Sequence, residues 1–298
     1  MIAIVIPYYK ITFFRDTLNS LANQTDKRFN VYIGDDASPE SPLELLKEFE
    51  GEFNFQYQYF KENLGRESLT KQWIRCIELC KGEEWLMILG DDDKLSPKVI
   101  EEFYEILKHK EQSDYVLRYR RQIINAKGEI ISPKSDFPDN ELSIDFLYKR
   151  TKNQAVSSLS EFIFRKEDYA RHGLRAYPNG FYSDNWMQLV YSDFGRIKNI
   201  NATCYIRITT ISLSGNPENR EKVLEAGLYF YRDLLTIYPH KFSKAQKSLF
   251  LNILMNGINH PKFPMNEFQF LKLSFSTVGS LLTLRKTLTL IKMKISKG

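Results

Sequence analysis

A chain of 298 residues, 43% apolar and 27% charged, is long enough for one large domain or a domain with an appendage. At that size a core forms without disulfide or metal staples, and the composition excludes a disordered, collagen-like or repeat chain. The net charge of +5 is a mild excess that gives no argument for a nucleic-acid partner.

From Met1 to about Tyr119, strand and helix patterns alternate with short connections. Ile2–Pro7 is an unbroken apolar run, the mark of a parallel strand buried on both faces. No basic flank precedes it and Pro7 interrupts it early, so it reads as a strand and not a signal peptide. Phe13, Phe14, Thr17, Leu18 and Leu21 follow at helical spacing. Phe29–Gly34 predicts the second strand, and Pro42–Phe49 a helix with Ser41 as its N-cap. Phe53–Phe60 predicts a strand, Ser68–Cys80 a helix and Trp85–Leu89 a fourth strand. After Asp91–Asp93, Ser96 and Pro97 read as N-cap and first residue of a helix reaching about Lys108. Tyr115–Tyr119 is a further strand. The alternation predicts an α/β fold, an open and mostly parallel sheet with helices on both faces.

Beyond Arg120 the pattern weakens. Asn125–Gly128 reads as a hairpin turn and Ser132–Asp139 as a polar loop. Ser160–Arg165 predicts a strand, followed by a short helix to His172 that Gly173 ends. Tyr182–Tyr191 reads as helical and Cys204–Ile208 as a strand. After Pro217 the chain becomes helical, over Glu218–Tyr238, Ser243–Asn256 and from about Asn266 onward. A boundary near Ser214–Pro217 therefore separates an α/β body, residues 1–214, from a helical C-terminal appendage, residues 215–298. The body itself divides into 1–119 and 120–214. Tyr229, Phe230, Tyr231 and Tyr238 suit either a helix core or a sugar platform.

From Met265 to Gly298 six basic residues stand against Glu267 alone, an excess equal to that of the whole chain. Leu281, Leu282, Leu284, Leu288, Leu290 and Ile291 lie among Arg285, Lys286, Lys292 and Lys294. This end reads either as an amphipathic surface for an anionic inner leaflet or as a packed helix with a solvated basic face. No apolar run approaches the roughly 20 residues of a membrane span. The three cysteines, Cys76, Cys80 and Cys204, form no paired framework and no C-x-x-C, as small core residues in a reducing compartment would. These features predict a cytoplasmic protein, with peripheral contact on the cytoplasmic face of the membrane as the reading of the basic end.

Ligands of open α/β sheets bind beyond the carboxyl ends of the strands. There the sequence places Pro7-Tyr8-Tyr9, Asp35-Asp36-Ala37-Ser38 and Gly90-Asp91-Asp92-Asp93. Two acidic clusters at one sheet edge are costly unless a cation or hydrogen-bond donors compensate them. Mg²⁺ or Mn²⁺, bridging a diphosphate to one or two carboxylates, is the simplest answer. The plain alternative for Asp91–Asp93 is a solvated turn capping the next helix. No G-x-G-x-x-G follows the first strand and no P-loop occurs, against a dinucleotide oxidoreductase and a P-loop NTPase. His109, His172, His240 and His260 are scattered, which argues against a histidine metal site or triad.

IVIPYYK, VYIGDDASPE, ENLGRES and KGEEWLMILGDDDKLSP, in that order and spacing, resemble the inverting family 2 glycosyltransferases of the GT-A fold. The resemblance covers roughly Met1–Ser214. FIFRKEDYARHGL resembles the family's acceptor-side segment and YSDNWM its Glu-Asp helix start. YIRITTISLS resembles its Tyr-x-Arg-x-His and Ser-x-Ser segment. The family's properties imply that Pro7 and Tyr8 line the nucleotide. Asp36 would accept from the ring N–H of the base, and Asp35 is structural. Asn63 and Arg66 fall at the next loop, where Arg66 either pairs the diphosphate or is a plain surface residue. Anchoring on Leu95 and Pro97 makes Asp92 the metal-contacting residue, with Asp93 its neighbour and Asp91 towards the sugar. A literal D-x-D gives Asp91 and Asp93 instead, and both assignments stand.

Asp184 is implied as the general base, with Asp193 as the fallback, and Arg207 as a phosphate-holding residue. The plain reading of Asp184 is a first-turn acid facing the helix dipole. The chain departs from the family at Ser183, where Glu is frequent, and at Thr209, where His is expected. The first change removes a carboxylate that supports the acceptor, and the second a group able to contact metal or diphosphate. Taken together, the resemblance implies metal-assisted inverting transfer from a nucleotide-diphospho-sugar, a UDP-sugar by preference, with Mn²⁺ or Mg²⁺ as cofactor. The acceptor would be a hydroxyl of a glycan or lipid-linked glycan, in a surface polysaccharide such as a capsule or O-antigen. A sugar-nucleotide nucleotidyltransferase would need a Gly-rich loop after the first strand, and Tyr8-Tyr9-Lys10-Ile11 has no glycine. An inactive binding module would have lost the acidic clusters or the base, and all are present.

Overall fold

The computed structural model describes residues 1–108, 116–279, 287–289 and 292. The strands are β1 (Ile2–Tyr8), β2 (Phe29–Asp35), β3 (Asn54–Tyr59), β4 (Trp85–Ile88), β5 (Lys94–Leu95), β6 (Val116–Ile124), β7 (Asn140–Leu142), β8 (Phe162–Arg165) and β9 (Arg196–Arg207). They form one sheet in the order β3-β2-β1-β4-β8-β6-β9-β5, with β7 paired to β9. The first four strands are parallel, and β6 is parallel to β9. Antiparallel β8 joins these two parts, and β5 and β7 run antiparallel to β9. Most paired residues are therefore in parallel register, as the strand–helix alternation demands. The mixed second half is where the alternation of the sequence had faded.

Helices α1 (Phe14–Ala22), α2 (Leu43–Lys47), α3 (Leu69–Ile77) and α4 (Val99–Leu107) follow the first strands. On one face Ile2, Ile4 and Ile6 of β1 meet Phe14, Leu18 and Leu21 of α1 and Phe103 of α4 in a continuous core. Each fully buried side chain of this size contributes about 1.5–3 kcal/mol. On the other face α3 lies against β1 and β2. Ser68 caps α3 by accepting from the Lys71 N–H. Ser96 differs from its predicted capping role. Its hydroxyl accepts from the Thr203 N–H at 3.0 Å, so it ties the neighbouring strand, and α4 begins at Val99.

A close approach fixes Gly34. A Cβ there would lie 2.2 Å from Cys76 Sγ, and its carbonyl accepts from Gln72 Nε2 at 2.8 Å. Gly34→Ala is expected to cost about 1–3 kcal/mol through overpacking. Urea unfolding of this variant and of Gly34→Ala/Cys76→Ala checks it, since relief of the clash should return part of the loss.

The remaining helices of this unit are α5 (Ser143–Thr151), α6 (Lys166–His172) and α7 (Ser183–Val190). Strand β9 is much longer than the predicted Cys204–Ile208, because Ile197, Asn199 and Ile200 are already buried against β6. The Asn125–Gly128 turn is present, closed by the Gly128 N–H to the Asn125 carbonyl at 3.0 Å. Tyr115 and His109 lie outside the described residues.

The chain divides into two compact units, residues 1–176 with 183–217, and residues 177–182 with 218–298. The second unit holds α8 (Arg220–Ile237), α9 (Lys244–Asn256) and α10 (Glu267–Val278). Segment 177–182 joins it because the Tyr182 ring sits 5.0 Å from Phe230 and the Tyr177 hydroxyl bonds Asp233 at 3.1 Å. Phe230 and Tyr231 are buried core residues of α8 and not an open platform. Capping boxes at Ser243 and Asn266 start α9 and α10. Leu281, Leu282, Leu284, Arg285, Lys286, Leu290, Ile291 and Lys294 of the basic end lie outside the described residues. Among the described residues, no helix is long and apolar enough to cross a membrane, and the three cysteines are free and buried.

Candidate active site

The β2 carboxyl end turns sharply, with Ala37 at φ 51°. Asp35 holds that turn: its carboxylate accepts from the Ser38 N–H at 2.8 Å, the Ser38 hydroxyl at 3.1 Å and the Tyr57 hydroxyl at 2.6 Å. Asp36 reaches the other way. It accepts from the N–H groups of Leu64 at 2.8 Å and Gly65 at 2.9 Å, and it pairs with Arg75 of α3. A side chain at position 65 would meet Asp36 Oδ2 at 2.4 Å, so this loop requires glycine. Burial pushes the Asp36 carboxyl up, opposed by these same donors. The Arg75 guanidinium rests on the Phe60 ring, 4.0 Å from its centroid. Nothing in the sequence reading marked Arg75, which lies along a helix face rather than in the acidic motif.

Asn63 and Arg66 border Asp36 but play different parts. Asn63 Oδ1 accepts from the Arg66 N–H at 2.8 Å and shapes the loop, while the Arg66 side chain is exposed. Tyr8 is buried, its hydroxyl donates to the Glu40 carbonyl at 2.7 Å, and its own carbonyl accepts from the Asp36 N–H. Pro7 pairs with Gly34 in the β1–β2 register directly beneath this turn.

The three aspartates after β4 have three distinct environments. Asp91 Oδ2 accepts from the N–H groups of Tyr9 at 2.8 Å and Lys10 at 2.9 Å, which binds this turn to the one after β1. Asp93 is buried and accepts from the Ser160 hydroxyl at 2.6 Å and the Arg207 N–H at 2.9 Å. The half-buried Asp92 carboxylate accepts no hydrogen bond from any other of the described residues. Burial first, and then the charges of Asp93 and Asp91, raise its proton affinity. Such a group is relieved by a proton or a cation. No three His, Cys, Asp or Glu side chains among the described residues form a metal cage.

Four of the five Arg207 N–H donors have partners. Its Nε donates to the Asp92 carbonyl at 3.0 Å, and Nη1 to the carbonyls of Asn125 at 2.8 Å and Ala126 at 3.1 Å. Nη2 pairs with Asp16 at 2.7 Å, and the guanidinium covers the Phe13 ring. These bonds make Arg207 a strut under the triple-aspartate turn, at a position where the motif implied a phosphate-holding residue. Thr209 closes a turn with Ser212, whose N–H donates to its hydroxyl at 3.2 Å.

Asp184 stands in the first turn of α7 and is nearly buried, at 9% exposure. The Ser157 hydroxyl donates to its Oδ2 at 2.8 Å. Asn185 in turn bonds Ser157, and Arg150 bonds Asn185 at 2.9 Å, so the base candidate is held by a chain of side chains. Ser183 donates to the Arg175 carbonyl at 3.0 Å. Asp193 lies beyond the far end of α7, exposed and at φ 46°, roughly 13 Å along the helix from Asp184. Ser157 and Glu161, the latter fully buried beside Ser160, are polar residues that the motifs did not reveal.

A parallel half-sheet carrying two aspartate turns at its carboxyl edge, extended by a mixed half with an acid-bearing helix, defines a GT-A glycosyltransferase fold. The model of glycosyl transferase family 2 matches residues 3–167, more than half of the chain, and the chain belongs to this family and is a glycosyltransferase. Among solved structures, residues 1–349 of S. aureus TarS in complex with UDP match with a TM-score of 0.62 at 16% identity, covering 92% of this chain and 78% of that one. The same protein in complex with UDP-GlcNAc gives 0.63 at 17%, covering 93% and 80%. A longer TarS structure matches at 0.61 and 15%, covering 94% of this chain but 49% of that one. At these identities the likeness is one of fold. No curated protein matches the chain in sequence.

Proposed function

We propose that the protein transfers a sugar from a nucleotide-diphospho-sugar to a hydroxyl acceptor with inversion, and that Asp184 is the general base. The observation that carries this reading is the joining of both aspartate turns through one segment. Asp36 bonds the Tyr8 carbonyl, and Asp91 bonds the next two N–H groups of the same loop. A nucleoside and its diphosphate can therefore lie along one continuous edge. Asp36 accepts three donors, and a carboxylate has about four lone-pair sites, which leaves one for the ring N–H of a base. Uracil offers that N–H, as thymine and guanine do and cytosine does not, and among these a UDP-sugar is the donor we propose. The UDP and UDP-GlcNAc complexes of TarS support this choice.

Asp184, oriented by Ser157, takes the proton from the attacking hydroxyl as that oxygen meets the anomeric carbon. The hard-oxygen, unpartnered Asp92 fits a divalent cation, with Asp93 fixed behind it. Mg²⁺ or Mn²⁺ held there would supply positive charge for the departing diphosphate. The acceptor we propose is a glycan or lipid-linked glycan of a surface polysaccharide. The basic C-terminal sequence fits peripheral contact with an anionic membrane.

Calorimetric titration of UDP, GDP, dTDP and CDP, each with Mn²⁺ and with EDTA, tests the donor site. UDP should bind tightest, and EDTA should weaken it about tenfold, the loss of one strong charge-assisted contact. In Asp92→Ala the Mn²⁺ and EDTA titrations should coincide. Equal wild-type UDP affinity in both buffers would remove the metal from the mechanism.

A further inference from the structure

A cavity of about 790 Å³ opens among β6, the 132–138 loop, β7, α5 and residues 154–156. That is within the size range of small-molecule sites. Its charges are unequally satisfied. Both oxygens of Glu141 are taken, by Arg118 at 3.0 Å and by Lys149 at 2.6 Å, and Asp136 is fully exposed. The cations are less well matched. Lys134 has no ion pair among the described residues. The Arg121 side chain is only 11% exposed, yet its Nε has no hydrogen-bond partner and meets Glu161 at 3.7 Å. Neither carboxyl oxygen of the fully buried Glu161 accepts a hydrogen bond. Burial pushes this carboxyl up, against the pull of Arg121 and Arg118. Orphaned buried donors of this kind call for a ligand or a functional explanation.

The cavity wall is linked to the base candidate through the chain. Its wall at residues 154–156 runs directly into Ser157, which bonds Asp184, and α5 sends Arg150 to Asn185. We propose that this cavity is the acceptor subsite and that Arg121 and Lys134 recognise an anionic group, carboxylate or phosphate, on the hydroxyl-bearing acceptor. The assignment rests on the transfer reading above, because it makes Asp184 the neighbour of the bound hydroxyl.

Glucuronate, glucose 1-phosphate and methyl glucoside, titrated by NMR with and without saturating UDP, test the proposal. At least one anionic sugar should bind in the presence of UDP, more tightly than methyl glucoside. Arg121→Gln and Lys134→Gln should each weaken it about tenfold and leave UDP affinity unchanged. Lys134 is exposed, so its variant reports even if Arg121→Gln fails to fold. Preference for glucuronate identifies a carboxylate ligand, and preference for glucose 1-phosphate a phosphate. Equal binding of methyl glucoside, no anion binding, or Lys134→Gln and a folded Arg121→Gln both unchanged would overturn the assignment. If UDP fails to bind while the anion still depends on both cations, the cavity stands and the donor reading falls.

Discussion

Asp184→Asn is expected to lower kcat by roughly 10²–10⁴-fold, the contribution of a positioned general base. The change keeps the shape of the side chain and its hydrogen bond from Ser157, but removes the lone pair that takes the proton. UDP affinity should be unchanged, since the carboxylate stands on α7 and not in either turn that frames the nucleotide. Kinetic assay with sugar donors of the nucleotide that calorimetry selects, alongside UDP titration of the variant, separates the two. Full activity would remove Asp184 from the mechanism and leave it as a first-turn acid favoured by the helix dipole. Ser157→Ala should have a smaller effect of the same sign, because it loosens the carboxylate without deleting it.

Arg207→Met is expected to destabilise the protein by about 3 kcal/mol, near the lower end for breaking a buried ion pair because Asp16 remains 44% exposed. Three carbonyls, of Asp92, Asn125 and Ala126, lose their donor at the same time. The Asp92 backbone would then be free to shift, so UDP affinity in Mn²⁺ should also fall. Urea unfolding and calorimetry on one preparation decide between a strut and a ligand. Unchanged stability with lost UDP affinity would return Arg207 to the diphosphate.

The acidic site was legible in the sequence to different depths. Asp35 was expected to be structural, and its three hydrogen bonds place it at the heart of a turn. The run Asp91–Asp93 was visible as a run, but two registers for its ligands stood side by side. The hydrogen bonds distinguish its members: backbone N–H groups occupy Asp91, Ser160 and Arg207 occupy Asp93, and Asp92 alone has no donor from elsewhere among the described residues. Those partners come from positions about 80 residues before and 70 to 110 residues after the turn, beyond any local pattern.

The sequence by itself determined the α/β order of the first half, the two acidic turns and the family. Period-two and period-3.6 patterns and sheet-edge motifs are local, and each can be read within a short window. The tertiary structure alone decided that Arg207 faces Asp16 and three carbonyls, that Arg75 braces Asp36, and that Ser157 orients Asp184. It also decided the mixed half-sheet and the cavity whose wall runs into Ser157. A guanidinium reads the same in sequence whether its five N–H donors meet a phosphate or the backbone. Only the folded chain shows which acceptors have already taken them.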